Sequence, residues 1–386
     1  MINKSFDLLY DGVNPQKIAV AEPVLDQRVL ALLKEFVRDR YEIHLKKDVE
    51  GLPAPWTSNP ILQQVKFTNV RREHDRQSQN YIKLIASRDI SWFGKFWNTV
   101  MFRMFNISSL WEHIYPDVVS IHTLPSELDM YYKKLKEIEY LGKPLFTNAF
   151  NTGGLKQSLA LPEYDHDTCR AQRRGEMIIK AEDGSDINYK LERERLLNGE
   201  LKSPDFEPYM PMRIIRYVAK ASSELLPNLH EEILKCRSQT AAYEMLLKIR
   251  GFSRFLAYQV FVDLTYCPEF PFSENEFTVS GPGCDAGINL LFTDKGGMTP
   301  AECLFWLRDN ADEVFGKGFF YDLFSDLPWH DRCINVMSLE NLHCELSKYV
   351  RCHEQLAAGK KPRGKVSTDK LVSRKDSPAA GTKKLW

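Results

Sequence analysis

The sequence predicts an all-α protein, and three observations predict it. Apolar residues recur at helical spacing over residues 24–48, 61–160, 210–266 and 300–357. Prolines at 53, 55 and 60 interrupt the first of these stretches from the second. Composition then changes abruptly at 163–204 and again after 358, which sets off a charged insertion and a tail from the helical body.

The elements follow in order. Val29, Leu30, Leu32, Leu33, Phe36 and Val37 give the first stretch one apolar face. Residues 61–160 are rich in aromatics, among them Trp92, Phe93, Phe96, Trp97, Phe102, Phe105 and Trp111, a density expected of core rather than of a base-stacking surface. The segment from Glu163 to Pro204 is highly charged, and Asp183-Gly184 predicts a turn, with a short hairpin across Met177–Lys190. Helical periodicity returns from 210 to 266 and from 300 to 357. Beyond 358 the chain is Gly, Pro, Ser and Lys, too polar to bury a core. The expected organisation is an N-terminal helical segment over 1–54, a helical domain over 55–357 and a basic disordered tail over 358–386, built as one compact unit or two interleaved lobes.

With 386 residues, 43% of them hydrophobic, the chain can bury one large core or two moderate ones. No apolar run reaches the roughly 18 residues of a membrane span, and the first residues lack the pattern of a signal peptide. An intracellular protein, not secreted and not in the membrane, is expected. Eight cysteines are scattered without zinc-knuckle spacing. His343, Cys344, Cys352 and His353 lie close in sequence, but on a helix positions 344 and 352 sit more than two turns apart. Neither a metal nor another cofactor is expected. Net charge is zero, yet residues 360–386 carry nine Lys/Arg against two Asp, leaving the first 359 residues with 43 basic and 50 acidic groups, a net of −7. A basic tail on an acidic body suits weak phosphate contact or simple solubility. The case for nucleic acid has to come from motifs.

The most informative stretch is Ala242–Tyr266. A helix is expected to end near Ile249, Arg250-Gly251-Phe252 to form a tight turn, and a second helix to begin at Ser253. Gly251 accepts positive φ, which so short a turn needs. Ser253 is an N-cap candidate, with the amides of Arg254 and Phe255 facing a phosphate oxygen and Arg250 and Arg254 adding charge. Leu256, Val260 and Leu264 pack the second helix on the first. The pattern resembles the helix-hairpin-helix of DNA glycosylases; it also describes an ordinary αα-hairpin with a glycine turn. After it comes Gly281-Pro282-Gly283, expected to form a tight irregular turn that delivers Cys284 and Asp285 ahead of a new helix. In the glycosylases the segment after the hairpin brings a catalytic Asp to the flipped nucleotide, and Gly281 and Gly283 are placed with the DNA-binding set.

The second unusual stretch is Lys66–Ile82. If helical, Arg72, Asp75, Arg76 and Gln79 share one face at i, i+3, i+4 and i+7. That face is polar through three turns inside an aromatic-rich region, which suggests a lined pocket; mutual salt bridges on a solvated face are the alternative.

Together, Phe67-Thr-Asn-Val-x-Arg-Glu-x-Asp-Arg, the segment from Ile249 to Leu264, Gly281-Pro-Gly-x-x-x-Gly and Cys344-Glu-x-x-Lys-Tyr resemble one family. It is that of the alpha-glutamyl/putrescinyl thymine pyrophosphorylases, or amino acid:DNA transferases, whose glycosylase-like helical module also occurs fused to 5-hydroxymethyldeoxyuridine (5-hmdU) DNA kinases. The resemblance spans roughly residues 55–355 and implies a viral or mobile-element setting. It implies a helix-hairpin-helix, DNA-glycosylase-like bundle, and a reaction in which pyrophosphate on the exocyclic carbon of a 5-hydroxymethyluracil in DNA is replaced by an amine or amino acid. The partners implied are double-stranded DNA with a flipped modified pyrimidine, the amine co-substrate and a separate 5-hmdU DNA kinase. No Gly-x-x-x-x-Gly-Lys-Ser/Thr occurs, so phosphorylation is not expected of this chain itself.

On that reading Arg72 and Arg76 would meet the departing pyrophosphate. Asp75, Asp263 or Asp285 would take the proton of the incoming ammonium. Asn69, Gln79, Lys348 and Tyr349 would bind substrate, with Glu345 beside them. Asp263 could equally brace the hairpin, and Cys284-Asp285 stands where small and basic residues would fit the family pattern better. Two other readings remain: a base-excision glycosylase using Asp285 or Asp263, and a non-catalytic module that recruits a kinase.

Overall fold

The computed structural model describes residues 21–108, 110–111, 120–146, 178–180, 186–188 and 210–363. A two-residue strand, β1 (Val24–Leu25), leads into α1 (Gln27–His44), which begins where the Asp26 side chain accepts the Val29 N–H at 3.0 Å. Its apolar stripe is buried as the spacing predicts. After the proline-rich stretch, α2 (Pro60–Gln64) starts at Asn59, whose side chain accepts the amides of Ile61 and Leu62. Next come a 3-10 turn at Arg72–His74, α3 (Arg76–Tyr81), α4 (Trp92–Phe105) and α5 (Leu128–Tyr140).

Strands β2 (Ile178–Lys180) and β3 (Asp186–Asn188) pair antiparallel, with Ile179 opposite Ile187, which is the hairpin expected around Asp183-Gly184. The rest of the charged insertion, and the tail from 364, lie outside the described residues. The chain continues through α6 (Met210–Lys220), α7 (Leu229–Leu234), α8 (Gln239–Leu246), α9 (Arg254–Leu264) and α10 (Pro282–Leu291). It closes with β4 (Phe292–Asp294), α11 (Pro300–Asp309), α12 (Ala311–Phe315), α13 (Phe319–Leu323) and α14 (Val336–Ala357). The described structure is mainly helical, in agreement with the all-α expectation. None of its helices is long and apolar enough to cross a membrane.

The chain divides into two compact units. In the first, made of residues up to 82, 236–242 and 268–363, α14 is the central element and packs against α10, α1, α2 and α11. Strand β1 pairs antiparallel with β4 at one edge. Gly287 sets the closeness of α10 to α14. A Cβ on Gly287 would stand 2.0 Å from the His343 carbonyl oxygen, a distance that admits hydrogen only; on Gly283 it would stand 3.4 Å from Cys344 Sγ, ordinary contact.

In the second unit, residues 83–235 and 243–267, α4 is the centre and packs against α9, α6 and α7. Phe96, Trp97, Phe102 and Phe105 of α4 are at most 1% exposed and are core, as the sequence suggests, while Trp92 and Phe93 at its start are only partly buried. Arg103 of this helix is also buried and forms a two-pronged ion pair with Asp263 of α9, while its Nη1 donates to Asn106 Oδ1 at 3.0 Å.

Two local expectations are corrected. Residues 72–79 do not form one helix. The 3-10 turn ends at Asp75, which is extended (φ −65°, ψ 140°) before α3 begins. The extended Asp75 interrupts the helix, and its carboxylate reaches back to accept the Asn69 N–H. Gly281-Pro282-Gly283 is not an irregular turn either. Gly281 is the N-cap of α10, Pro282 its first residue, where the missing N–H is harmless, and Cys284 and Asp285 lie inside the first turn.

Candidate functional site

One helix organises most of the residues that the sequence singles out. On α14, Glu340, Asn341, Cys344, Glu345 and Lys348 recur at i, i+4 and i+8 spacing, so they form a polar strip along the helix. The Lys66–Tyr81 segment lies over this strip. Arg72, 6% exposed, places Nη1 3.1 Å from Glu340 Oε2, and its backbone N–H donates to Ser338 Oγ at 3.2 Å. Glu340 also accepts Cys344 Sγ at 3.3 Å. Burial pushes the Glu340 carboxyl up and the neighbouring Asp285 adds to that, while Arg72 and the Cys344 bond pull it back down. The Cys284 and Cys344 thiols are raised well above their usual value, mainly by burial, so neither is a ready thiolate.

Asp75 is a second carboxyl of this group raised by burial. Oδ1 accepts the Asn69 N–H at 2.7 Å, and Oδ2 stands 3.5 Å from Asn341 Nδ2, which also donates to Thr68 Oγ1 at 3.1 Å. Burial raises its pKa to about 6, opposed by the Asn69 N–H and by Arg72 and Arg40, and assisted by Glu345. The carboxyl is closely packed, yet the residue as a whole keeps a solvent-facing edge. A carboxyl whose pKa burial lifts to about 6 is suited to taking and returning a proton once a ligand reaches it.

Two buried atoms near Asp75 have no hydrogen-bond partner among the described residues: Asn69 Oδ1, an acceptor, and Arg40 Nη1, a donor. Both side chains are fixed. Asn69 Nδ2 donates to the His74 carbonyl, and Arg40 Nε donates to the Thr68 carbonyl at 2.9 Å. Asp75 and Arg40 therefore grip the same Thr68–Asn69 peptide unit, one by its N–H and the other by its C=O. Asp285 Oδ1 is a third buried atom without a partner among the described residues. Such atoms cost roughly 1–3 kcal/mol each unless something fills them.

The remaining expected residues separate into groups. Arg76 and Gln79 are exposed on α3, and Gln79 Nε2 donates to the Glu73 carbonyl at 2.6 Å. Lys348 is engaged by Glu345, donates to the Lys66 carbonyl at 3.0 Å and stands 4.3 Å over the Phe67 ring. Tyr349 is fully buried, with its hydroxyl 2.6 Å from Glu35 Oε1 and 2.8 Å from Asn59 Nδ2, so it ties α14 to α1 and the start of α2. Asp263 belongs to the second unit, where its exposure is 0% and Arg103 meets both its oxygens.

The hairpin residues lie in the second unit as well. Gly251 has φ +83°, the conformation the short turn needs. Ser253 caps α9 by accepting the Leu256 N–H at 3.4 Å, and Leu256, Val260 and Leu264 are buried. Ser253 and Arg254 are exposed, and Arg250, Gly251 and Phe252 are partly so.

Sequence reasoning missed Arg40, Glu340 and Asn341. Arg40 looks like one more polar residue of an amphipathic helix. Glu340 carried a signal, since it occupies the buried side of α14 four residues after Val336 and four before Cys344.

The sequence profile described as "5-hmdU DNA kinase, helical domain" matches residues 27–358. The chain belongs to this family. A 5-hmdU DNA kinase of Bacillus phage SP10 is 24% identical over 349 residues, which cover 85% of this chain and 47% of the relative. The chain thus spans about half the length of that kinase. No solved structure matches it. The resemblance to the helical module of 5-hmdU DNA kinases is therefore established over nearly the whole described body.

Proposed function

We propose that this chain handles a 5-substituted uracil flipped out of duplex DNA, and replaces pyrophosphate on its exocyclic carbon with an amine or amino acid. The observation that carries the reading is Asp75: a carboxyl whose pKa burial raises to about 6, on a peptide unit that Arg40 also holds, with Asn69 Oδ1 and Arg40 Nη1 buried and without a partner among the described residues. A uracil edge presents a donor at N3 and carbonyl acceptors beside it, groups that an amide oxygen and a guanidinium N–H pair with once the segment opens, since both atoms are buried. The charges nearby, Arg40 and Arg72 against Asp75, Glu340 and Glu345, favour a neutral group there over an anion.

The ammonium of the donor gives a proton to ionised Asp75. The free amine attacks the exocyclic carbon, a carbon–nitrogen bond forms, and the carbon–oxygen bond to pyrophosphate breaks with its electron pair on oxygen. Arg76, exposed at the start of α3, and Arg72, once Glu340 releases it, are the cations that would meet pyrophosphate. Asp285, with its unpaired Oδ1, and Lys348 line the same α14 strip and orient the co-substrate. The α8–turn–α9 hairpin is read as a helix-hairpin-helix of the glycosylase type, in which Arg250 to Arg254 hold a phosphate while the base leaves the stack. Gly281 and Gly283 open α10 beside the site.

Replacing Asp75 by Asn, or Asp285 by Ala, is expected to remove the amine-bearing product while DNA affinity stays within about twofold. Full turnover in either variant takes that residue out of the mechanism. The match to one domain of a larger kinase supports a second reading, a DNA-holding module that serves a kinase. It predicts tight DNA binding, no change in the nucleosides, and stimulation of a kinase added in trans. A base-excision reading predicts abasic sites and rests on Asp285, since Asp263 is already neutralised by Arg103.

A further inference from the structure

The hairpin turn is held by two tyrosines. Tyr243 of α8 donates its hydroxyl to the Arg254 carbonyl at 3.0 Å, and Tyr217 of α6 accepts the Arg250 N–H at 2.7 Å. The second bond joins α6 to the turn. Along α6, Arg216 and Tyr217 sit one turn before Lys220; Arg216 and Tyr217 are partly exposed and Lys220 is fully so. Around the turn, Lys248 and Arg254 are exposed and Arg250 partly so. Residues 210–220 and 245–262 together hold six Lys/Arg and no Asp or Glu, in a chain whose first 359 residues carry a net charge of −7. Phe255, 49% exposed, lies among these cations.

We propose that α6 and the hairpin turn make one phosphate-contacting face, on which Arg216 and Lys220 carry the DNA backbone beyond the phosphate gripped at Arg250–Arg254. The proposal rests on the reading of the hairpin as a DNA grip and extends it to a second element. Recognition is of the sugar–phosphate backbone, so it is independent of base sequence and of the modification. Tyr217 is a positioning residue: it fixes the turn relative to α6 and need not touch DNA.

The test is fluorescence anisotropy of the full chain with a labelled duplex of about 20 base pairs, unmodified or carrying 5-hydroxymethyluracil, titrated across sodium chloride. Removing one phosphate-neutralising cation lowers the slope of log K against log salt by about 0.9. R216A/K220A is expected to weaken binding to both duplexes about tenfold or more at low salt and to reduce the slope by about 1.8. Lys220→Glu, at an exposed position that leaves folding intact, is expected to weaken binding further than Lys220→Ala. An unchanged slope and affinity in both the double variant and Lys220→Glu overturns the α6 face while the hairpin reading stands. A wild-type chain that fails to bind DNA at any salt overturns the hairpin reading itself. A loss confined to the modified duplex also overturns the proposal, because a backbone contact cannot see the base.

Discussion

Asp75 concentrates the chemistry in one group, and its pKa has consequences on both sides of folding. The folded state holds this proton more tightly than the unfolded chain, where the group has an ordinary carboxyl value, so ionised Asp75 weighs against the fold. Its contribution to stability is complete below about pH 4 and is lost as pH rises through 6. Asp75→Asn keeps the acceptor for the Asn69 N–H and removes the charge. It is expected to match or exceed wild-type stability by about 1 kcal/mol at pH 8 and to lose that advantage at pH 4, read by chemical denaturation at the two pH values. Activity runs the other way, since the base must be ionised: turnover is expected to rise through an apparent pKa near 6. Asp263 shows the opposite case. Breaking its buried pair by Asp263→Ala is expected to cost about 3–5 kcal/mol, whereas replacing both partners with Arg103→Met and Asp263→Leu recovers most of the loss. Equal stability of Asp263→Ala and wild type in urea would contradict the bracing role. The sequence marks both aspartates by type alone. It cannot separate them, because burial and partner choice depend on residues far away along the chain.

Elements are more legible than their junctions. The apolar spacing locates α1, α4, α9 and α14 because each buries a long stripe, and periodicity reports burial directly. It fails at 72–79, where Asp75 is extended and its carboxylate is tied back to the Asn69 N–H, and at 281–283, where Gly-Pro-Gly serves as helix start instead of turn. In both places the local residues are legible as unusual, while the geometry is set by α14. The glycines of α10 make this testable. Gly287→Ala would drive a methyl into the His343 carbonyl and is expected to cost about 2–3 kcal/mol or more, by forcing α10 off α14. Gly283→Ala meets only a sulfur at contact distance and is expected to be neutral or stabilising by up to about 0.5 kcal/mol through helix propensity. Thermal melts of the two variants check this; similar melting temperatures would mean that the close approach at Gly287 is not what sets the helix spacing.

For the molecule as a whole, the all-α class is readable from pattern, and the likeness to the helical module of 5-hmdU DNA kinases from four short blocks spread along residues 67–349. Two interleaved lobes are one of the two organisations the sequence allows, but their boundaries are not readable, because the chain leaves the first unit after residue 82, touches it again at 236–242, and returns at 268. No composition change marks those crossings. The candidate chemistry, Arg72, Asp75 and Asp285, belongs to the first unit, and the hairpin turn to the second. The most direct test of the proposed activity uses DNA carrying pyrophosphorylated 5-hydroxymethyluracil, incubated with the purified chain and a mixture of amino acids and polyamines, then digested to nucleosides and weighed by mass spectrometry. An amine- or amino-acid-bearing thymidine, formed by wild type and absent with Asp75→Asn, is the predicted result. Unchanged nucleosides after incubation with a chain that binds the same DNA would contradict it.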